Sequence, residues 1–386
     1  MYKDFKIIDA DAHFYEPADI WDNYVEPAYY DQRPRVKEFY ARARLDYEQD
    51  GVFFTKSIIR STSARRYRDQ EKKYGHAYRS WWNMESRIKD MENYGWDVQV
   101  SLPTNGHLGA EISLKDVGFG AALSRAFNNW VHDFCEGDPK HRVKFAAVVP
   151  GGDAHELAKE TRRAVKELGA VTVIISTPSK GQMWHEPQFD QVWQTASELE
   201  VPLSLHGSAT RSGDPASYER YNGLGGPFEA LHHAINFPIE NMISFGHFIV
   251  SGILDRYPKL KISILEANCG WLPFWLSRLE KCVEGRQSNT YDSEPLKATP
   301  WEYFQRQCFI AADADELGIK FCIEHVGDDK IVFNTDYPHA DAPDPWEPVA
   351  QMVDQPISEE SKRKIFWDNS VALYGDRLLE GVNAAN

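Results

Sequence analysis

The sequence predicts an α/β fold, a single (β/α)₈ TIM-type barrel with insertions over its C-terminal mouth. The length of 386 residues fits one such barrel with insertions and allows a large buried core. Eight apolar, strand-like runs alternate with amphipathic helical stretches, the pattern of a parallel sheet built from βα units. Several of these runs end in Asp, Glu or His, at the edge where a barrel builds its active site.

The predicted strands are short runs of β-branched and other apolar residues. In chain order they are Lys6–Ala10, Val98–Pro103, Lys144–Val149, Ala170–Ser176, Val201–Leu205, Lys261–Leu265, Cys308–Ala311 and Ile331–Asn334. Helical periodicity lies between them, over Asp116–Cys135, Asp153–Leu168, Phe189–Leu199 and near Pro238–Tyr257. Two stretches, about 17–82 and 207–236, exceed normal loop lengths and follow strand ends, so we expect them over the mouth within a single domain of residues 1–386.

Composition excludes several classes of partner. A net charge of −15, spread along the chain, argues against nucleic acid or an anionic membrane surface as the main partner. Neither a signal-type apolar segment nor a run of roughly 18 apolar residues is present, so a cytoplasmic protein is expected. Five cysteines without C-x-x-C spacing disfavour disulfides and a thiolate zinc site. Twelve Trp and 13% aromatic residues suggest an aromatic-walled pocket or a subunit interface, and a homo- or hetero-oligomer is expected.

Four strand-end residues predict a metal site. Asp11 and His13 are spaced i, i+2, which places both side chains on one face of a strand. His206 and Asp336 end or follow two later strands. Two His and two carboxylates suit a borderline divalent ion such as Zn, Fe or Mn.

Two further carboxylates, Glu16 and Glu266, lie near strand ends and leave alternatives open. Four acids around one dication would repel each other, so either some have raised pKa values or a second cation is present. Glu16 could instead cap a helix, and Glu266 could be a buried general acid. His339 is expected to orient Asp336 or act on substrate, and His247 is a lower-weight candidate for the metal or its surroundings.

Several motifs resemble the amidohydrolase-related family of the metal-dependent amidohydrolase superfamily. They span most of the chain: Ile8-Asp9-Ala10-Asp11-Ala12-His13, Leu205-His206-Gly207, Ser251 to Lys261, Thr335-Asp336-Tyr337-Pro338-His339 and Lys364 to Gly375. The family's usual first His is Asp11 here, and the His expected after the sixth strand is Glu266. The extra carboxylates resemble a subgroup with a dinuclear non-heme iron or manganese centre. That resemblance implies Asp11, His13, His206 and Asp336 as ligands of the first metal, and Glu16 and Glu266 as ligands of the second.

The function that this resemblance favours is a dinuclear Fe/Mn monooxygenase that hydroxylates a small organic acid or acyl derivative. Such an enzyme needs an external reductase, because the chain shows no dinucleotide-binding fingerprint and no Cys cluster for iron–sulfur. The alternative is a mononuclear metal-dependent hydrolase or decarboxylase in which Glu266 acts as general acid/base and zinc is the expected ion. A non-catalytic barrel subunit is a third possibility.

Overall fold

The computed structural model describes residues 5–17, 19–39, 42–49, 52–57, 71–104, 106–175, 183–206, 227–287 and 296–382. The strands are β1 (Ile8–Phe14), β2 (Arg35–Phe39), β3 (Arg42–Gln49), β4 (Val52–Ser57), β5 (Val98–Pro103), β6 (Val143–Val148), β7 (Thr172–Ile175), β8 (Leu203–His206), β9 (Ile262–Leu265), β10 (Cys308–Ala312) and β11 (Ile331–Phe333). The α-helices are Ile20–Tyr24, His76–Arg79, Met84–Tyr94, Leu108–Ser113, Val117–Cys135, Ala154–Glu167, Asp190–Leu199, Pro227–Val250, Ile253–Arg256, Leu272–Gln287, Pro300–Gln307, Ile319–Val326, Glu347–Asp354, Glu359–Arg363 and Asn369–Tyr374.

Eight strands form one parallel sheet in the order β1-β5-β6-β7-β8-β9-β10-β11. Backbone hydrogen bonds join the two edge strands of this order: the Asp336 amide donates to the Asp11 carbonyl at 3.0 Å, and the His13 amide donates to the Tyr337 carbonyl at 2.6 Å. The sheet is therefore a nearly closed barrel, and the predicted (β/α)₈ fold is confirmed. All eight predicted strands are present. Among the described residues, no helix is both long and apolar enough to cross a membrane.

The first insertion contains a small sheet that the sequence analysis did not predict. Strands β2, β3 and β4 pair antiparallel in that order. Ala43, Leu45 and Tyr47 alternate with charged residues, which is a period-two signal that the charged composition of the insertion obscured. In the second insertion, residues 207–226 lie outside the described residues, and the long helix Pro227–Val250 begins directly after them.

Strand β1 contains a register shift beside the first two candidate ligands. Between the pairs Asp9–Gln99 and Ala12–Ser101, three steps along β1 match two steps along β5. Asp9 is paired with Gln99 before the shift, and the Gln99 Nε2 atom donates to the Asp9 carboxylate at 3.0 Å. The extra residue of such a bulge lets the following side chains change face. Asp11 and His13 can then share the interior of the mouth.

A buried arginine supports this part of β1 from the helix layer. Arg87, fully buried on helix Met84–Tyr94, donates to Gln99 Oε1 and to Ser101 Oγ, both at 3.2 Å. A third hydrogen bond runs from its Nη2 to the His13 carbonyl. The guanidinium also lies over the Phe14 and Tyr337 rings. The Arg87 side chain thus connects β1 to β5 directly beneath the barrel mouth.

We expect Arg87→Met to lower the free energy of unfolding by about 2–4 kcal/mol. Methionine keeps much of the volume but leaves three buried acceptors without their donor. Arg79→Met, at a largely exposed position on the preceding helix, is the control and should change stability little. Chemical denaturation measures both variants, and equal effects for the two would contradict the role given to Arg87.

Candidate metal centre

The structure brings Asp11, His13, His206 and Asp336 together at the barrel mouth. His13 Nε2 lies 3.4 Å from Asp11 Oδ1 and 3.4 Å from Asp336 Oδ1. His206 Nε2 lies 3.9 Å from Asp11 Oδ1. All four residues are carried by strand ends of the barrel or by the turns that follow, so the closed sheet itself sets these separations.

Asp11 shows most directly that the cluster fits a cation. Its side chain is 1% exposed, and neither carboxylate oxygen has a hydrogen-bond partner among the described residues. Burial raises the pKa of Asp11 well above its usual value, although the nearby His206 opposes that rise. A buried carboxylate without donors is costly, and a bound cation removes that cost.

Two of the donor-atom separations agree with this interpretation. Two ligand atoms at about 2.1 Å from one first-row ion are about 3.0–3.5 Å apart for angles of 90–110°. The two 3.4 Å separations around His13 fall in this range. The Nδ1 atom of His13 lies 3.2 Å from the Pro103 carbonyl, which fixes the ring with Nε2 facing the cluster. Asp11, His13 and His206 form one group of adjacent ligand atoms, and His13, Asp336 and His339 form another.

Two carboxylates reach the mouth from left-handed backbone positions. Glu266 follows β9 with φ 48°, and Asp336 follows β11 with φ 52°. L-residues rarely adopt such angles, and the cost is of order 1–3 kcal/mol for each. Neither position carries glycine, so the side chains are retained in spite of that cost. Strained positions of this kind are concentrated at functional sites.

Glu266 contacts a candidate ligand more closely than two ligands of one ion approach each other. Its Oε2 lies 2.6 Å from His206 Nε2 and 4.0 Å from His13 Nε2. Both distances place the Glu266 carboxyl group against the imidazole rings of the cluster. Glu266 also lines a pocket of about 420 Å³ beside the cluster, together with Asp336. It therefore faces both the ligand residues and the space available to a substrate.

Glu16 contacts the loop that follows β5. Its Oε1 accepts hydrogen bonds from the backbone amides of Thr104 at 3.0 Å and Gly106 at 2.8 Å. Glu16 belongs to neither group of adjacent ligand atoms found among the described residues. A Cβ on Gly106 would lie 2.2 Å from the Phe127 ring, so the loop approaches too closely for any larger residue there. Glu16 is thus placed to hold the loop after β5.

His339 pairs with Asp336. Its Nδ1 lies 2.6 Å from Asp336 Oδ1, and its Nε2 lies 3.1 Å from Thr104 Oγ1. Burial alone would lower the pKa of His339, but the Asp336 charge outweighs it and raises the pKa to about 9. The backbone at His339 is held by Tyr74, whose hydroxyl donates to the His339 carbonyl at 2.6 Å. His339 thereby orients one carboxylate of the cluster.

His247, the lower-weight candidate, packs in the helix layer. Its ring contacts those of Trp184 and His185 at centroid distances of 5.7 and 5.4 Å. Burial, with a smaller effect from His185, lowers its pKa to about 4. His247 is in neither group of adjacent ligand atoms in the described part of the chain.

Asp313 is a pocket residue that the sequence analysis missed. It follows β10 directly and lines the same pocket as Glu266 and Asp336. Burial, reinforced by Glu316, raises the pKa of Asp313 to about 6. The sequence pattern could have identified Asp313, because this residue follows the apolar run Cys308–Ala312 just as Glu266 follows Ile262–Leu265.

We expect His206→Ala to lose most of the bound divalent metal while keeping its fold. The substitution removes one of four ligands at the barrel mouth and leaves the core unchanged. His155→Ala, at an exposed position, is the control and should retain wild-type metal content. Elemental analysis after dialysis gives the result, and full occupancy in His206→Ala would contradict the ligand set.

Glu16→Gln should retain the metal content of the wild type, since the amide oxygen can still accept from the loop. Glu16→Ala should lower the free energy of unfolding by about 1–3 kcal/mol, because two backbone N–H groups lose their acceptor. Glu360→Ala, at an exposed position, is the stability control. Loss of about one metal ion per chain in Glu16→Gln would restore the second-metal role predicted from the sequence.

Comparisons with known proteins give a consistent pattern. The γ-resorcylate decarboxylase of Polaromonas sp. is 26% identical over 300 residues, which cover 75% of this chain and 86% of that protein. The 2-amino-3-carboxymuconate-6-semialdehyde decarboxylase of Dictyostelium discoideum is 21% identical and covers 76% of this chain and 77% of its own length. A solved amidohydrolase from Mycobacterium avium subsp. paratuberculosis has a TM-score of 0.76 at 21% identity, covering 96% of this chain and 98% of its own.

A manganese-bound 5-carboxyvanillate decarboxylase from Novosphingobium aromaticivorans also has this fold, with a TM-score of 0.69 at 22% identity and 97% coverage of both chains. These relatives overturn the prediction of a dinuclear Fe/Mn monooxygenase, which is wrong, as is the preference for an oxygenase. The reason for expecting a second cation also weakens, because one oxygen of Glu16 accepts hydrogen bonds from two backbone amides. The amidohydrolase family profile matches residues 8–375, and the chain belongs to this family.

Proposed function

We propose that the protein is a metal-dependent, non-oxidative decarboxylase of a small unsaturated or hydroxyaromatic carboxylic acid. Asp11, His13, His206 and Asp336 hold one divalent cation in this proposal, and Glu266 is the proton donor. The observation that carries it is the position of Glu266, which lines the pocket and lies 2.6 Å from His206 Nε2. The decarboxylase relatives support the same reaction class.

We propose Mn²⁺ as the divalent ion that these four residues bind. Two carboxylates and two imidazoles form a mixed oxygen and nitrogen donor set that suits Mn²⁺ as well as Zn²⁺. The solved 5-carboxyvanillate decarboxylase was complexed with manganese, and a dihydroxybenzoic acid decarboxylase from Polaromonas sp. also has bound manganese. When bound, the ion would stabilise negative charge on the substrate oxygens.

Decarboxylation replaces a carboxylate on carbon by hydrogen, so a proton must reach that carbon. In the proposed reaction, the Glu266 carboxyl donates its proton to the carbon that bears the carboxylate. The bond from that carbon to the carboxylate then breaks, CO₂ leaves, and the bonding electron pair restores the unsaturated system. A solvent proton returns Glu266 to its acid form. The exchange of CO₂ for a proton is redox-neutral, so it requires no reductase.

One cation is enough for the charges at this mouth. Asp11 and Asp336 carry the two negative charges that a dication balances. Glu266 is neutral in its acid form, as the proton donor must be. The carboxylate of Glu16 accepts from backbone amides of the β5 loop. The excess of carboxylates that suggested two metals in the sequence is thus divided among three different roles.

We expect Glu266→Gln to retain its metal and to lower the decarboxylation rate roughly 10²–10⁴-fold, the usual contribution of a general acid. The amide keeps the size and polarity of the side chain but has no acidic proton. Release of CO₂ from 2,6-dihydroxybenzoate by the manganese-loaded protein gives the rate, and elemental analysis gives the metal content.

Glu284→Gln, at an exposed position, is the matched control and should match the wild type in both measurements. Turnover in D₂O should place one deuterium on the carbon that lost CO₂. A Glu266→Gln variant with wild-type rate would remove the proton-donor role. Hydrolysis of amide or ester substrates without any CO₂ release from carboxylic acids would favour the hydrolase alternative.

A further inference from the structure

Helix Pro227–Val250 turns an uncharged face to the solvent. From Ala230 to Val250, none of the exposed or half-buried side chains belongs to Asp, Glu, Lys or Arg. The acidic residue of this stretch, Glu240, is 2% exposed. The large apolar side chains that reach the surface recur at helical spacing, so they share one face of the helix. This outer stripe consists of Phe228, Leu231, Ile235, Ile239, Ile243 and Val250.

The outer stripe is large enough to form the centre of a protein interface. A helix of 24 residues is about 36 Å long and about 10 Å wide, so its face covers about 360 Å². On the neighbouring helix, Leu272–Gln287, the Phe274 ring is 64% exposed. A Cβ on Gly246 would lie 3.3 Å from the Trp275 ring, so the two helices pack closely there. An average interface takes about 800 Å² from each partner, of which somewhat over half is apolar, and the stripe with Phe274 approaches that apolar share.

The chain segments that flank this helix offer little to cover its outer stripe. Residues 176–182, 207–226 and 288–295 join elements on this side of the barrel and contain one Leu and no Ile, Val, Phe, Met or Trp. Residues 207–226, which directly precede the helix, include five Gly and three Ser. Burial of an apolar stripe needs apolar partners of comparable area. The outer stripe is therefore a surface for a second molecule.

Electrostatics favour a second copy of this chain as that molecule. With a net charge of −15, two copies repel each other across most of their surfaces. The outer stripe brings no like charges together, because its exposed positions are uncharged. A two-fold arrangement pairs identical apolar faces, and such symmetric dimers are the commonest assemblies of soluble proteins. A second copy is thus the partner that this face fits.

The same helix borders the proposed catalytic pocket. Residues from its N-terminal half line the 420 Å³ cavity beside the metal centre; they are His233, Ala234, Phe237 and Pro238. Ala234 is also exposed, so the pocket opens next to the outer stripe. In a two-fold pairing centred near Ile239, the Val250 end of the partner helix faces the Phe228 end of this one. That end of the partner helix then lies against the pocket rim at Ala234.

We infer that the outer stripe and Phe274 form a two-fold interface with a second copy of this chain, and that the second copy covers the rim of the pocket at Ala234. The interface residues are apolar and lie outside the metal centre, so the assembly does not depend on the reaction that the centre performs. The covered rim restricts the entry of water into the pocket that Glu266 lines.

Sedimentation velocity of the metal-loaded full chain tests the interface. The wild type should have twice the 44.3 kDa mass of one chain, or a higher even multiple if dimers associate further. Ile243→Glu should halve that mass at micromolar concentration, because two-fold pairing brings both introduced carboxylates into one apolar interface. Ile243 is 40% exposed, so the change leaves the core of the single chain intact.

Tyr30→Glu is the matched control, because Tyr30 is also 40% exposed and should not contact a second copy. Its neighbour Tyr29 stacks on Phe119 of helix Val117–Cys135, which follows β5. Helix Pro227–Val250 follows β8, on the other side of the barrel. Tyr30→Glu should therefore keep the wild-type mass.

A labelling experiment tests whether the second copy covers the pocket rim. Ala234→Cys is treated with a maleimide, and mass spectrometry measures how fast that position is modified. The rate should rise at least about tenfold when Ile243→Glu is added, since a shielded thiol reacts only in the dissociated fraction. Ala372→Cys, at an exposed position on helix Asn369–Tyr374, is the control and should react equally fast in both backgrounds.

A monomeric wild type at micromolar concentration, an unchanged mass in Ile243→Glu, or a halved mass in Tyr30→Glu would overturn the inference. If Ile243→Glu does not fold, hydrogen exchange of the wild type decides instead. Exchange over Ala230–Val250 should slow as the protein concentration rises from nanomolar to micromolar, and equal rates would reject the interface. Equal labelling of Ala234→Cys with and without Ile243→Glu would reject the covered rim.

Release of CO₂ is measured separately on the same samples. A dimer that releases no CO₂ would contradict the decarboxylase proposal and leave the interface standing. A monomeric wild type that releases CO₂ would contradict the interface and leave the decarboxylase proposal standing.

Discussion

The buried Asp11 carboxylate is the constraint on which the rest of the site depends. Both of its oxygens lie in the barrel mouth without a hydrogen-bond partner in the described structure. Water cannot solvate a group that is 1% exposed, so the negative charge requires a cation or a proton. His13 and His206 face this charge, with their Nε2 atoms 3.4 and 3.9 Å from Asp11 Oδ1.

Support for these residues extends outward from the mouth in layers. Arg87 holds the His13 carbonyl, while Pro103 fixes the orientation of the His13 ring. His339 pairs with Asp336 and is held in turn by Tyr74 from the insertion. Metal ligands usually require such outer contacts, which set their orientation and basicity. The first insertion, which carries Tyr74, therefore helps to hold His339 in position.

Much of the fold and part of the site could be predicted from the sequence. Buried parallel strands read as continuous apolar runs, and Asp11, His13, His206 and Asp336 occur where such runs end. The partners of Glu16 could not be predicted, because they are backbone amides of a loop about 90 residues away along the chain. A carboxylate bound by amides and one bound by a metal look alike in a sequence. Asp313 was overlooked for a different reason, since a lone acid after a strand also suits an ordinary turn.

The number of metal ions per chain tests the account most directly. The protein is purified without chelator, loaded with excess Mn²⁺, dialysed, and assayed for bound metal by elemental analysis against protein concentration. The account predicts close to one ion per chain, because the two groups of adjacent donors found in the described residues share His13, and Glu16 accepts hydrogen bonds from a loop. Two ions per chain would contradict it and would return both Glu16 and Glu266 to the role of metal ligands.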